Sequence, residues 1–189
     1  MIKAVLIFNN YGLPRLFKFY IKISQDEQQK FVQEIYKLIS KREDDICNFL
    51  EGGFLLNDND CKVVYRHYAT LYFVFCVDSS ESELGILDLI QVFVESLDSS
   101  FENVCELDLI FHLDKVHYML NEIVQGGLVL ETHSAEILAN FDEQIKIERK
   151  ESGLSGAPAR AVSAVKELNI QKKIKEMGNI SILNGRLGF

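Results

Sequence analysis

The chain has 189 residues, of which 48% are hydrophobic and 25% are charged, and its formal net charge at pH 7 is −8. This composition is typical of a folded protein, and the length fits one domain of about 100–150 residues followed by a tail. The negative net charge disfavours a nucleic acid partner, because proteins that bind phosphate backbones usually have basic stripes. From Lys146 onward, however, basic residues outnumber acidic ones nine to four.

Neither a membrane-spanning helix nor a signal peptide is predicted. A spanning helix needs about 20 apolar residues, and the best candidate, 71–77, is far shorter. The apolar start of the chain is interrupted at Asn9 and Asn10, where the hydrophobic region of a signal peptide would continue. We therefore expect a cytosolic protein.

The first part of the chain predicts a hairpin, a helix and three more strands. Apolar segments at 3–8 and 16–23 flank a turn of Asn, Tyr and Gly residues, which is typical of a β-hairpin. Ser24 and Glu27 have the spacing of a capping box, and the apolar residues after them recur at helical spacing. The further strands are predicted at 48–56, 62–71 and 72–77, the first two separated by the turn 57–60.

The second part of the chain predicts helices. Ser80 and Glu83 have the spacing of a second capping box, followed by an apolar stripe that ends at Leu97. A third helix is predicted at 107–124, ended by two glycines at 126–127, and a fourth at 135–148.

This order of elements favours an α/β protein of the α+β type, a five-stranded antiparallel sheet with helices on both faces. We expect one domain at 1–148. Residues 149–189 are expected to form a basic, flexible C-terminal tail.

Residues with catalytic chemistry do not form a convincing group. His67, Cys76 and Asp78 make a Cys-His-Asp set on paper, but a thiol within an apolar strand stays protonated and inert. His112 and His117 are five apart on a predicted helix, which suits a shared metal poorly. We expect no enzyme, no metal and no cofactor.

The four cysteines lack the close spacing of zinc ligands. Two of them, Cys76 and Cys105, lie in apolar patterns and are expected to be buried thiols. The other two are Cys47 and Cys61.

Two long stretches are similar to a known family. The start of the chain through Asn10, with Arg15, and the run from Tyr65 to Leu109 resemble the small (sigma) chains of the clathrin-adaptor complexes. The run from Asp78 to Glu95 resembles the sigma chains of adaptor complex 3 in particular. The resemblance covers about residues 1–166 and implies a longin-like fold, and contiguous matches of this length are more specific than any short motif.

The sequence departs from this group at two positions of the first turn. Sigma chains of adaptor complex 3 usually have His and Lys where this chain has Tyr11 and Leu13.

The resemblance implies a role in vesicle coats. Sigma chains of adaptor complex 3 pair with a large delta-type adaptin subunit, in a heterotetramer that also contains beta and mu subunits. Such a complex sorts transmembrane cargo from endosomal and Golgi membranes to lysosomes and related organelles. It is cytoplasmic and associates peripherally with Golgi, endosomal and coated-vesicle membranes. The alternative is a purely structural subunit that stabilises the large chain without binding cargo.

The resemblance also implies a site for cargo tails with an acidic residue upstream of two leucine-type side chains. Such a ligand needs an apolar cleft and a nearby cation. Arg15 matches the family position that contacts the acidic residue, and its planar guanidinium can bond a carboxylate twice. From spacing alone, the aliphatic residues of the cleft would be ordinary core. The positions that match the dileucine pocket are Ala69, Leu71, Val94, Asn103, Val104, Leu107 and Leu109.

Overall fold

One antiparallel sheet organises the part of the chain that a computed structural model describes, residues 1–42, 47–52 and 60–151. The sheet has five strands in the order β2-β1-β5-β4-β3, which confirms the predicted architecture. The strands are β1 (Ile2–Asn9), β2 (Pro14–Phe19), β3 (Phe49–Glu51), β4 (Lys62–Tyr68) and β5 (Leu71–Val77). The helices are α1 (Gln25–Ile39), α2 (Glu83–Phe101), α3 (Glu106–Phe111), α4 (Leu113–Ile123) and α5 (Ser134–Glu151), and a separate small hairpin joins β6 (Val124–Gln125) to β7 (Leu128–Val129).

The two central strands, β1 and β5, are buried on both faces of the sheet. Every residue of β1 is buried, the polar residues Lys3 and Asn9 included. The apolar run between these two is typical of a short buried strand. Leu6 on one face belongs to a core cluster with Phe31 and Ile35 of α1. On the other face, Phe73 of β5 meets Phe93 of α2 edge to face, with ring centroids 6.0 Å apart. Helices therefore cover both faces.

Helix α1 begins at the predicted capping box. The backbone N–H of Ser24 donates to Glu27 Oε2 at 2.9 Å, and the backbone N–H of Glu27 donates to Ser24 Oγ at 3.4 Å. These two bonds satisfy N–H groups that a helix start would otherwise leave unpaired. The prediction of this cap and of its helix is confirmed.

The prediction of a second capping box at Ser80 and Glu83 was wrong. The N-cap of α2 is Ser82, whose hydroxyl accepts from the backbone N–H of Gly85 at 3.3 Å. A glycine at the third helical position has no side chain to return the bond, so no box can form. Glu83 instead begins the helix.

The predicted third helix, 107–124, is two helices joined at His112. This residue leaves the helical region, with φ −125° and ψ 39°, and its ring stacks on Phe101 at 5.9 Å. A tertiary ring contact of this kind has no signature in local sequence spacing, which is why periodicity predicted one helix.

Gly126 and Gly127 form the turn of the β6–β7 hairpin, so their predicted role as a helix end was wrong. Their φ angles are +61° and +81°, values that suit glycine in a tight hairpin turn. Helix α4 ends before them, and Val124 is already extended.

The predicted strand bounds also differ from those observed. The second strand begins at Pro14 and ends at Phe19, rather than spanning 16–23. Among the described residues of the third predicted strand, Phe49–Glu51 are extended. Of the prediction for 48–56 and of the turn at 57–60, residues 53–59 lie outside the described residues.

Cys76 is buried as predicted, but Cys105 is exposed, so that prediction was wrong. Cys105 precedes the short helix α3 at the surface, where its backbone N–H donates to Asp108 Oδ2 at 2.9 Å. The apolar residues on either side of it in the sequence belong to different structural elements rather than to one buried stripe.

Internal contacts divide the chain into two units, residues 1–142 and 143–189. The first contains the whole five-stranded sheet. In the second, the described residues are the last part of α5, and the remainder of the predicted basic tail, 152–189, lies outside the described residues. Among the described helices, none has both the length and the apolar character needed to cross a bilayer.

The β6–β7 turn gives a stability test. A Cβ at Gly127 would lie 2.4 Å from Ile2 O, whereas a Cβ at Gly126 would meet nothing within 4 Å. Both alanine variants incur left-handed strain of about 1 kcal/mol, so the difference between them reports the clash. We expect Gly127→Ala to lower the free energy of unfolding by about 1–3 kcal/mol more than Gly126→Ala, measured by urea unfolding of the full-length chain. Equal losses would contradict the close packing of this turn on β1.

Candidate functional site

A cleft of about 400 Å³ opens where the turn between β4 and β5 meets the end of α2 and the start of α3. Apolar side chains from β4, β5, α2 and the two connecting segments contribute to its wall, together with two carboxylates. Its lining residues are Tyr68, Ala69, Thr70, Leu71, Phe73, Val94, Asp98, Val104, Cys105 and Glu106.

One side of the cleft is a two-residue turn. Tyr68 and Leu71 pair across the β4–β5 hairpin, so Ala69 and Thr70 alone connect the strands. Ala69 adopts a positive φ of +54°, which directs the turn without a glycine.

The opposite side is formed by the link between α2 and α3. Glu102 and Asn103 have φ angles of +54° and +76°, and this reversal ends α2. The backbone N–H of Val104 then donates to Asp98 Oδ1 at 3.0 Å. That bond ties Val104 back to the helix that contains Val94, so the two valines line one cleft.

Four of the residues implied by the resemblance line this cleft, namely Ala69, Leu71, Val94 and Val104. The other three implied pocket residues are not in its lining. Asn103 is exposed beside it, Leu107 is 57% exposed on α3, and Leu109 is fully buried in the core. Spacing alone does not distinguish these three positions from the four that line the cleft.

Arg15 is bound to a carboxylate of the cleft wall. Its Nε donates to Glu106 Oε1 at 2.8 Å, and its Nη2 forms an ion pair with the same oxygen at 2.6 Å. Asn9 Nδ2 also donates to this oxygen, at 2.9 Å. Burial alone would raise the pKa of Glu106, but the hydrogen bonds from Arg15 and Asn9 and the charge of Arg15 outweigh it. The pKa of Glu106 therefore lies below its usual 4.5.

Sequence reasoning missed Glu106 as a site residue. The only sequence feature that pointed to Glu106 was its position two residues after Val104. Its partners Asn9 and Arg15 are far away in sequence. A search for a carboxylate that could pair with Arg15 would have found many candidates among the 28 acidic residues of the chain.

Tyr68 was also missed as a cleft residue. Arg66 Nη1 donates to Gln91 Oε1 at 2.7 Å and to Tyr68 Oη at 2.9 Å, and the Tyr68 hydroxyl donates to Gln91. This network fixes the Tyr68 ring as a rigid part of the wall between β4 and α2.

The residues considered for catalysis lie apart. His67 is opposite Tyr72 and Cys76 is opposite Val63, near the two ends of β5. His67 stacks on Tyr72 with ring centroids 4.1 Å apart. Burial raises the pKa of the Cys76 thiol well above 9.0, so it stays protonated. Within the described ranges, no group of three or more His, Cys, Asp or Glu residues could hold a metal ion.

A larger groove of about 610 Å³ lies between the β1–β2 turn and α1. Its lining includes four glutamines and the side chains of Leu13 and Phe17, which are about half exposed. None of the site residues implied by the resemblance lines it.

Comparison with known proteins places the chain in a family. The profile described as clathrin adaptor complex small chain matches residues 1–148. The human AP-3 complex subunit sigma-2 is 62% identical over 184 residues, which cover 97% of this chain and 95% of that protein. AP-3 complex subunit sigma of Dictyostelium discoideum is 58% identical over 168 residues, or 88% of this chain and 98% of that protein.

A structural comparison agrees. One chain of a structure titled "Homology model of the full-length AP-3 complex in a stretched open conformation" matches with a TM-score of 0.64. It is 46% identical, and the match covers 82% of this chain and 100% of that chain.

The chain has a five-stranded sheet between two helical layers, and the family profile matches most of its residues. It therefore belongs to the clathrin adaptor complex small chain family. Within that family it is similar to the sigma subunits of AP-3 complexes, which confirms the resemblance predicted from the run that begins at Asp78. The implied longin-like fold is confirmed as well. The expectation that the resemblance ends near Lys166 was wrong, because the human relative aligns over 184 residues.

The Arg15–Glu106 pair predicts how stability depends on pH. The pKa of Glu106 is lower in the folded chain than its usual 4.5. The ionised carboxylate therefore stabilises the fold fully above pH 4.5, and this stabilisation is lost as the pH falls further. We expect the free energy of unfolding of wild type to exceed that of Glu106→Gln at pH 7, and the gap to narrow from about pH 5 downward. Urea unfolding from pH 7 to pH 3 measures it.

The exposed carboxylate Glu102, at the end of α2, is the matched control. Glu102→Gln removes the same charge four residues away. A gap between wild type and Glu106→Gln that stays constant over the whole pH range would contradict the ion pair.

Proposed function

We propose that the chain is the small subunit of a heterotetrameric AP-3 adaptor complex and that its cleft binds acidic-dileucine cargo tails. The observation that supports cargo binding is the clustering of Ala69, Leu71, Val94 and Val104 around one cleft whose wall includes Glu106, the partner of Arg15. Subunit membership is supported by the 62% identity to AP-3 sigma-2.

The cleft has the chemistry that such a ligand requires. Two leucine side chains would each gain about 1.5–3 kcal/mol from burial before the cost of ordering the peptide. Together they supply less than the roughly 8 kcal/mol of micromolar affinity, so polar contacts to the peptide must add to them. The walls accept aliphatic side chains because they are formed mainly by valine, leucine, alanine and aromatic carbon. Arg15 would bond the upstream carboxylate of the peptide.

The partners we propose are a large delta-type adaptin with beta and mu subunits. Leu128, Val129 and Leu130 are consecutive and between 41% and 61% exposed. A run of exposed apolar residues favours coverage by another protein chain. The complex would be cytoplasmic and peripheral on Golgi, endosomal and coated-vesicle membranes, and would direct its cargo to lysosomes and related organelles.

The second candidate function is a purely structural subunit that stabilises the large chain and binds no cargo. Two observations favour it. Arg15 is already neutralised by Glu106, and Tyr11 and Leu13, at family positions of His and Lys, are exposed apolar side chains.

Peptide titration of the complex distinguishes the two candidates. A fluorescent peptide with a glutamate upstream of two leucines is titrated against the assembled complex containing wild type, Val104→Asp or Arg15→Ser. We expect saturable binding by wild type. Val104→Asp should abolish it, because a carboxylate would enter the apolar cleft, and Arg15→Ser should weaken it about three- to tenfold.

Leu84→Asp is the control, since Leu84 is 69% exposed on α2 and lies outside the cleft lining. It should bind the peptide like wild type. An intact complex that binds no peptide would exclude the cargo role and leave the structural one.

A further inference from the structure

The carboxylate that pairs with Arg15 is itself part of the cleft wall. Glu106 lines the cleft beside Val104. Its Oε1 accepts hydrogen bonds from Arg15 Nε and Asn9 Nδ2, and it forms an ion pair with Arg15 Nη2 at 2.6 Å. The cation that would meet the acid of a ligand therefore already has an acid bound to it, and this acid belongs to the chain.

The pair is accessible to exchange. The side chains of Arg15 and Glu106 are 21% and 28% exposed, so water can solvate either group when the pair opens. Opening a fully buried pair would leave two charges with neither a partner nor water, whereas water reaches both groups of a partly exposed pair.

The backbone around Glu106 is held in place. The N–H groups of Val104 and Cys105 donate to Asp98 and Asp108 at 3.0 and 2.9 Å. Glu106 follows directly, so its carboxylate can leave Arg15 by side-chain rotation while Val104 and the apolar cleft stay where they are.

From this geometry we infer that Glu106 is an internal competitor for Arg15, which the acidic residue of a ligand must displace. The inference rests on the proposed function of the cleft. Two carboxylates cannot both pair fully with one guanidinium. The net binding free energy from the acid of the ligand is therefore its interaction with Arg15 minus the interaction that Glu106 gives up. Glu106 thus determines how strongly the site discriminates an acidic ligand from a neutral one.

The test compares two peptides on the assembled complex. One has a glutamate upstream of two leucines, and the other has glutamine in its place. We expect Glu106→Gln to tighten binding of the acidic peptide about fivefold relative to binding of the neutral peptide. Glutamine keeps the size of the side chain and an oxygen that can accept from Asn9, so the fold should be retained, which thermal unfolding checks.

A double-variant comparison separates competition from simple repulsion. In the Arg15→Gln background, Glu106→Gln should no longer change the ratio of the two affinities, because the guanidinium for which the two acids compete has been removed. If tightening persists there, Glu106 only repels acidic ligands and the inference is overturned. Glu102→Gln, which removes an exposed carboxylate that ends α2, should leave both affinities unchanged.

The remaining outcomes are also decisive. If wild type binds the acidic peptide and Glu106→Gln weakens this binding, Glu106 positions Arg15. If Glu106→Gln leaves the binding unchanged, Glu106 is irrelevant to it. In both cases the inference alone fails. If neither wild type nor Glu106→Gln binds either peptide, the cargo role fails and the inference fails with it.

Discussion

The pairing of β1 with β5 is the constraint from which the rest of the structure follows. These strands occupy the middle of the sheet and have apolar side chains on both faces. A sheet with two apolar faces must be covered twice. Helix α1 covers one face, and α2, which packs against α4, covers the other.

The cleft is a consequence of this layered packing at one end of the sheet. Helix α2 lies on β4 and β5, so the hairpin turn that joins these strands is next to the end of the helix. The chain then reverses through Glu102 and Asn103 and brings Val104 back to the same place. The apolar cleft and the Arg15–Glu106 pair are neighbours because Glu106 comes just after that reversal.

The sequence predicted those elements that depend on local chemistry. Ser24 and Glu27 form their capping box because both partners lie within one turn. The strands β1 and β5 were predicted from their short apolar runs. The break at His112 could not be predicted, because it coincides with a ring contact to Phe101. Cys105 looked buried because Val104 precedes it and Leu107 follows shortly after, although Val104 lies in the link between α2 and α3 and Leu107 lies on α3.

In the candidate site, too, features that depend on tertiary contacts could not be predicted from local sequence. Four of its apolar residues were found through a resemblance to known proteins, since their spacing alone would have suggested ordinary core. Glu106 was missed because its partner Arg15 is 91 residues away, and no local pattern connects an acid with a base at such a separation. Conversely, Leu109 matched the family position but is fully buried. Finally, the positive φ of Ala69 has opposite consequences for the turn and for the cleft. Glycine would relax the turn, yet it would remove the methyl group from the cleft wall. If the cleft binds the proposed aliphatic ligand, the residue that is best for folding is therefore not the one that is best for binding.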